Sequence, residues 1–237
     1  MNLVLLPGFM TGPELWTDMA QRLAPVGPVT HGDLTRDATI HDMALRVAAE
    51  APDRFALVGF SMGGYVARAV TLHAPERVQA LVLIATSARA DTRAQAARKA
   101  IAVAHVREQG FSGLSRGAIL QSVHPDRAGD ADLLARIRDM GDRLGGEVFL
   151  RQAGEARTGD LDQLGAIRCP TLVIAAAQDA LRSIDEVREI RDRIPGATLT
   201  VIDGSGHMLP LKAPEALADA IVPWLLAQAS GASTIGS

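Results

Sequence analysis

The segment Phe55-Ala56-Leu57-Val58-Gly59-Phe60-Ser61-Met62-Gly63-Gly64 constrains this chain more than any other. A short apolar run suited to a buried strand ends in a serine with a glycine two positions to either side. Val66, Ala69, Val70 and His73 then follow at helical spacing until Pro75 ends the pattern. A strand that turns at once into a helix forces the corner residue into a strained backbone conformation and crowds the neighbouring chain, and glycines leave the room this needs. The same turn lifts the Ser61 hydroxyl above the carboxyl end of a sheet and aims the Met62 N–H at the same spot.

The wider pattern agrees. Strand-like runs near 3–6, 26–30, 55–59, 80–85, 171–176 and 198–202 alternate with helical patterns near 13–24, 38–50, 63–74, 184–194 and 214–228. That alternation predicts an α/β fold, a mostly parallel sheet with helices on both faces. Between Ser87 and about Leu164 the pattern turns to helices alone, near 91–109, 112–121, 130–144 and 146–157, broken at Gly110, His124-Pro125 and Gly145-Gly146. An all-helical insertion after a core strand lies over the carboxyl ends of the strands, where ligands bind in such sheets. The expected division is a core of residues 1–86 and 165–228, a helical lid at 87–164 and a flexible tail at 229–237.

A serine hydroxyl is a poor nucleophile at neutral pH. It needs a base in hydrogen-bond reach and a third group to fix that base's tautomer. Of the six histidines, only His207 lies in a glycine-bracketed loop after a strand, Asp203-Gly204-Ser205-Gly206-His207; His31, His41, His73, His105 and His124 fall in turns or on helix faces. Asp179 follows the strand run Thr171–Ala177 and is the expected acid. Asp203 is a rival, but four positions before the histidine on one loop it is poorly placed to orient the ring. Asp185 and Glu186 open the next helix, where Ser183 and Glu186 match the capping-box spacing. Negative charge building on a substrate oxygen also needs donors. The Met62 N–H is one; the Phe9 N–H, presented by the turn Pro7-Gly8-Phe9-Met10 after the first strand, is the other.

Composition excludes several classes. A formal net charge of −3 gives no reason to expect a nucleic-acid partner. The single cysteine, Cys169, rules out an internal disulfide and offers no metal cluster, and no metal or other cofactor is expected. Leu3–Leu6 before Pro7 is too short for a signal peptide or a membrane span, so a cytoplasmic protein without membrane association is expected. The first helix of the insertion carries Arg93, Arg98, Lys99 and Arg107 against a lone Glu108. This reads either as a dock for an anionic carrier, such as an acyl carrier protein or a coenzyme A ester, or as a solvated helix face.

With these residues in hand, the chain resembles the α/β-hydrolase family over nearly its whole length. The matching pieces are Leu-Pro-Gly-Phe at 6–9, Gly-Phe-Ser-Met-Gly-Gly at 59–64, Ala-Pro-Glu-Arg-Val at 74–78, Cys-Pro-Thr-Leu-Val-Ile at 169–174, Asp179, Gly-His-Met-Leu-Pro at 206–210 and Ala-Pro-Glu at 213–215. It is most similar to the small capped esterases and lactonases, such as pimeloyl carrier-protein methyl esterases and enol-lactone hydrolases. Pro7 departs from the pattern, standing where many members have histidine.

The resemblance and the residues together imply a serine hydrolase acting on a small or medium carboxylic ester, thioester or lactone, either free or carrier-linked, through an acyl-enzyme. Ser61 is the expected nucleophile, His207 the base and Asp179 its orienting acid. Phe9 and Met62 form the oxyanion hole, and Met10, Phe149, Leu181 and Met208 the substrate pocket. A cofactor-free lyase or a peroxidase or perhydrolase on the same three residues, and a non-enzymatic ligand receptor, are the alternatives.

Overall fold

The computed structural model describes residues 1–232. Six strands form one sheet in the order β2-β1-β3-β4-β5-β6: β1 Asn2–Leu6, β2 Val29–His31, β3 Phe55–Phe60, β4 Val78–Ile84, β5 Thr171–Ala176 and β6 Thr198–Ile202. Every neighbouring pair is parallel. Parallel strands need crossovers, supplied here by α1 Ala20–Leu23, α2 Ile40–Glu50, α3 Met62–His73 and α7 Ile184–Arg193. The short α8 Leu209–Lys212 and the long α9 Pro214–Ala232 complete the core.

Alternation along the strands divides the core between the two faces of the sheet. Leu3, Leu5, Val58, Phe60, Val82, Ile84 and Ile174 pack on one side with Leu217, Ile221 and Leu225 of α9. Val4, Leu6, Leu57, Leu81, Leu83 and Val173 pack on the other with Met43 and Val47 of α2, Val66 and Val70 of α3, and Val187 and Ile190 of α7. The expected mostly parallel sheet covered on both faces is the one found.

The boundaries differ in instructive places. The second strand starts at Val29 rather than near 26, because Gly27 takes φ +145° and Pro28 follows it. Residues 13–24 are not one α-helix but a 3-10 stretch, Pro13–Met19, running into α1. The last helix continues to Ala232, four residues beyond its expected end at 228; residues 233–237 of the expected tail lie outside the described residues.

Between β4 and β5 the chain is helical: α4 Arg93–Gln109, α5 Arg116–Ser122 and α6 Ala131–Gly154. Thr92 and Gln95 form a capping box that starts α4, and Ser115 caps α5. α6 is broken where the sequence places the break between the helices expected at 130–144 and 146–157: Gly145 is non-helical, with φ +77° and ψ −178°, and the second half ends at Gly154 rather than 157. Ile119 of α5 and Leu133, Ile137 and Met140 of α6 join the α9-side core, so the insertion and the sheet share one continuous apolar cluster. Among the described residues no helix is long and apolar enough to cross a membrane.

Candidate active site

Ser61 stands between the end of β3 and the start of α3 with φ 52° and ψ −111°, a conformation that a residue with a Cβ rarely adopts. Its surroundings over-determine it. The Ser61 N–H donates to the Ile84 carbonyl at 2.9 Å, and its carbonyl accepts from Thr86 Oγ1 at 2.7 Å and from the Gly64 N–H at 3.0 Å. The flanking glycines are sterically required. A Cβ on Gly59 would lie 2.5 Å from the Gly63 carbonyl oxygen, and one on Gly63 would lie 2.5 Å from that of Pro7. The crowding expected of a strand–turn–helix corner is therefore present, on named atoms.

Three loops that follow β3, β5 and β6 bring Ser61, Asp179 and His207 together. His207 Nδ1 is 2.7 Å from Asp179 Oδ2, and Nε2 is 2.8 Å from Ser61 Oγ. A carboxylate can only accept, so Nδ1 carries the ring proton and donates to Asp179, which leaves Nε2 to accept from the serine hydroxyl. The second Asp179 oxygen accepts from the Leu181 and Arg182 N–H groups at 2.7 and 2.9 Å. The side chains of His207 and Asp179 are 6% and 1% exposed, so water hardly competes for either hydrogen bond. The ring of Phe60 lies 5.1 Å from the imidazole, centroid to centroid.

Asp203, the rival acid, faces elsewhere. Its carboxylate accepts from Gln178 Nε2 at 2.7 Å and from the Gly204 N–H at 2.8 Å, and these bonds hold its carboxyl below the usual range. Gln178 Oε1 accepts from the Ser205 N–H at 3.1 Å, so this contact braces the loop that carries Asp179 against the loop that carries His207. Ser183 and Glu186 form the capping box of α7.

Met62 is the first residue of α3, where a backbone N–H has no carbonyl four residues behind it inside the helix. Phe9 lies in the loop after β1, and both residues line a cavity of about 340 Å³ together with Ser61 and His207. Two of the four expected pocket residues, Leu181 and Met208, line this cavity; the other two do not. Met10 is fully buried and clusters with Val103, Val148, Phe149 and Ala153 behind the cavity wall. Phe149 reaches the site only through Phe9, whose ring it meets. The expectation for these two fails because α4 and α6 pack against the loop after β1 and enclose both side chains.

Sequence reading missed several residues here. Gln152 of α6 is 1% exposed and lines the cavity; its Oε1 accepts from the Met10 N–H and its Nε2 donates to the Leu34 carbonyl, each at 2.9 Å. Arg68, wholly buried in α3, pairs with Asp160 through two bonds of 2.7 and 2.8 Å. The arginine inside an apolar helix was the available signal for that pair. Lys99 belongs by sequence to the basic face of α4, yet it turns inward and donates to Asp91 Oδ2 at 2.5 Å. Burial pulls its ammonium pKa down. Arg93, Arg98 and Arg107 of α4 remain exposed. Among the described residues no group of three His, Cys, Asp or Glu side chains could hold a metal ion.

A strained serine above a parallel sheet, hydrogen-bonded to a histidine that is itself held by a buried carboxylate, defines a class of protein, and the sequence comparisons agree. The profile of the alpha/beta hydrolase family matches residues 3–220, and the chain belongs to that family. Among its relatives is the pimeloyl-[acyl-carrier protein] methyl ester esterase of Aromatoleum aromaticum, 30% identical over 90% of this chain and 94% of that protein. The esterase of the same name from Pectobacterium carotovorum is 37% identical over 36% of this chain and 37% of its own length. A thermophilic esterase from Thermogutta terrifontis superposes with a TM-score of 0.87 at 26% identity, covering 96% of this chain and 90% of that one. The enol-lactonase of Burkholderia xenovorans LB400 shares the fold, with a TM-score of 0.85 at 20% identity over 95% of this chain and 91% of that one.

Proposed function

We propose that the protein is a serine carboxylic ester hydrolase working through an acyl-enzyme. The observation that carries this reading is the buried line of hydrogen bonds from Asp179 through His207 to Ser61, at 2.7 and 2.8 Å, opening on a cavity of about 340 Å³. Ser61 Oγ attacks the ester carbonyl as its proton passes to His207 Nε2. Asp179 holds the resulting imidazolium, and the Phe9 and Met62 N–H groups receive the oxyanion. Collapse of the tetrahedral intermediate expels the alcohol, which takes the proton from His207. Water, deprotonated in turn by His207, then releases the acid and restores the serine. Helices α4 to α6 act as a lid that shapes the acyl pocket.

The substrate is a small or medium ester or lactone. A carrier-linked ester is the second reading, favoured by the Aromatoleum relative and by the exposed arginines of α4. A fluorophosphonate probe should label wild-type protein at Ser61 and leave Ser61→Ala untouched, and p-nitrophenyl esters should give an acyl-enzyme burst. Unlabelled protein without turnover would leave the ligand-receptor alternative standing. Carrier docking would appear as a rise in KM for a carrier-linked ester, greater at low salt, in Arg93→Glu/Arg107→Glu.

A further inference from the structure

Away from Ser61 the cavity changes character. Arg98, Lys99, Arg157 and Arg182 line it, against a single carboxylate, Asp91. Asp91 Oδ2 already accepts from Lys99 Nζ at 2.5 Å and from the Arg157 backbone N–H at 3.0 Å, which leaves little of that charge for the arginines.

Arg157 is the anomaly. It is 8% exposed, its Nη1 is buried without a partner, and among the described residues no acceptor receives a hydrogen bond from its guanidinium. The group rests instead on the Tyr65 ring, with the guanidinium carbon 5.5 Å from the centroid. Arg68 approaches the same ring at 4.7 Å, but that cation is matched by Asp160. Arg182 repeats the pattern. Its Nε is buried and unpartnered, and its nearest carboxylate, Glu186, stands 3.9 Å from Nη1 and is engaged in the α7 capping box. Burial lowers the Arg157 pKa; Tyr65, Asp91 and Glu155 offset part of that and Arg182 adds to it, and both arginines also act against the charge on Lys99. Buried cations are ordinarily paired, and a guanidinium set in a cavity wall with Nη1 buried and unpartnered holds donors free for a ligand.

We propose that Arg157, with Arg182 and Lys99, forms an anion subsite that takes the free carboxylate of the substrate's acyl chain, so that half-esters of short dicarboxylic acids are the preferred substrates. This rests on the hydrolase reading above. The planar guanidinium fork matches a carboxylate through two parallel hydrogen bonds. Both lie in one cavity: Tyr65 follows Ser61 by one helical turn, about 6 Å along the axis of α3, and Arg157 lies over its ring, so one short substrate can face Ser61 and the guanidinium together. A carrier's phosphate is separated from its acyl group by the whole pantetheine arm, too far for a subsite this deep.

Binding to Ser61→Ala protein, measured by calorimetry with monomethyl and dimethyl esters of succinate, glutarate and adipate and with inorganic phosphate, tests the idea without turnover. At least one half-ester should bind about tenfold or more tighter than its diester and than phosphate, and adding Arg157→Met should erase that advantage. Should Arg157→Met fail to fold, Arg182→Gln should shrink the advantage instead. In the active enzyme, the ratio of kcat/KM for half-ester over diester should fall about tenfold in the same variants. Half-esters binding no tighter than diesters, or equal losses for both on mutation, would overturn the subsite. Phosphate binding tighter than any half-ester would overturn the carboxylate assignment. Turnover of neutral p-nitrophenyl esters reports on the hydrolase reading separately: with it present and no half-ester preference, only the subsite fails.

Discussion

The ring of Phe149 meets the ring of Phe9 edge to face, with centroids 5.7 Å apart and planes at 64°. This contact joins the last helix of the insertion to the loop proposed to donate one oxyanion hydrogen bond, and the Phe111 ring meets Phe149 as well, tilted at 37° with centroids 5.4 Å apart. Gln152, one turn further along α6, reinforces the junction by accepting from the Met10 N–H.

Phe149→Ala should therefore act on rate more than on acyl-chain selectivity. Removing a ring that is only 9% exposed should cost about 3 kcal/mol of stability, read as a fall in Tm. Loss of its hold on Phe9 should lower kcat several-fold across p-nitrophenyl esters from acetate to octanoate. A change confined to chain-length preference would show that the side chain shapes the pocket directly.

Ser61→Ala and His207→Ala should each reduce kcat by about 10⁴-fold or more, and their combination should cost little beyond either. Independent, multiplying losses would mean that the two do not act as one unit. Ser61→Gly should remove the strain of a side chain at φ 52° and raise stability by about 1 kcal/mol while abolishing turnover. A denaturant midpoint unchanged or lowered would contradict the strain argument.

Asp179→Asn should lower kcat strongly, because an amide cannot stabilise the imidazolium and permits the wrong ring tautomer. Asp203→Asn should be nearly silent, since its carboxylate contacts Gln178 and Gly204 rather than His207. The reverse order of effects would reassign the acid.

Asp160→Ala should destabilise the protein by about 3–5 kcal/mol, because it leaves the wholly buried Arg68 without its carboxylate. The pair ties α3 to the strap between α6 and β5, where the Asp160 N–H also donates to the Ala88 carbonyl at 2.9 Å. Urea unfolding measures the loss.

Cys169 should resist thiol reagents. Burial pushes its thiol from 9.0 up to about 11, so at pH 8 the reactive thiolate is scarce. Ellman's reagent should react slowly with native protein and rapidly after unfolding. The unfolded chain loses this proton more easily than the folded one, so the thiol's contribution to stability is complete below pH 9 and is lost as pH rises towards about 11.

Much of this protein was written in contiguous sequence. The alternation of apolar runs with helical spacing determined a parallel sheet covered on both faces, because the periods of strand and helix are local properties. Glycine spacing located the corner at Ser61, and the loops after successive strands located Asp179 and His207, since a parallel sheet delivers every such loop to the same edge. What the sequence could not decide were relations between segments far apart in the chain. That Met10 and Phe149 sit behind the cavity wall, that Lys99 turns inward to Asp91, and that Gln152 spans two loops all depend on how α4 to α6 settle against the core's loops. The unpaired guanidinium of Arg157 is of the same kind: an arginine in a polar stretch reads as a solvated charge, and only tertiary packing buries it and withholds its partners.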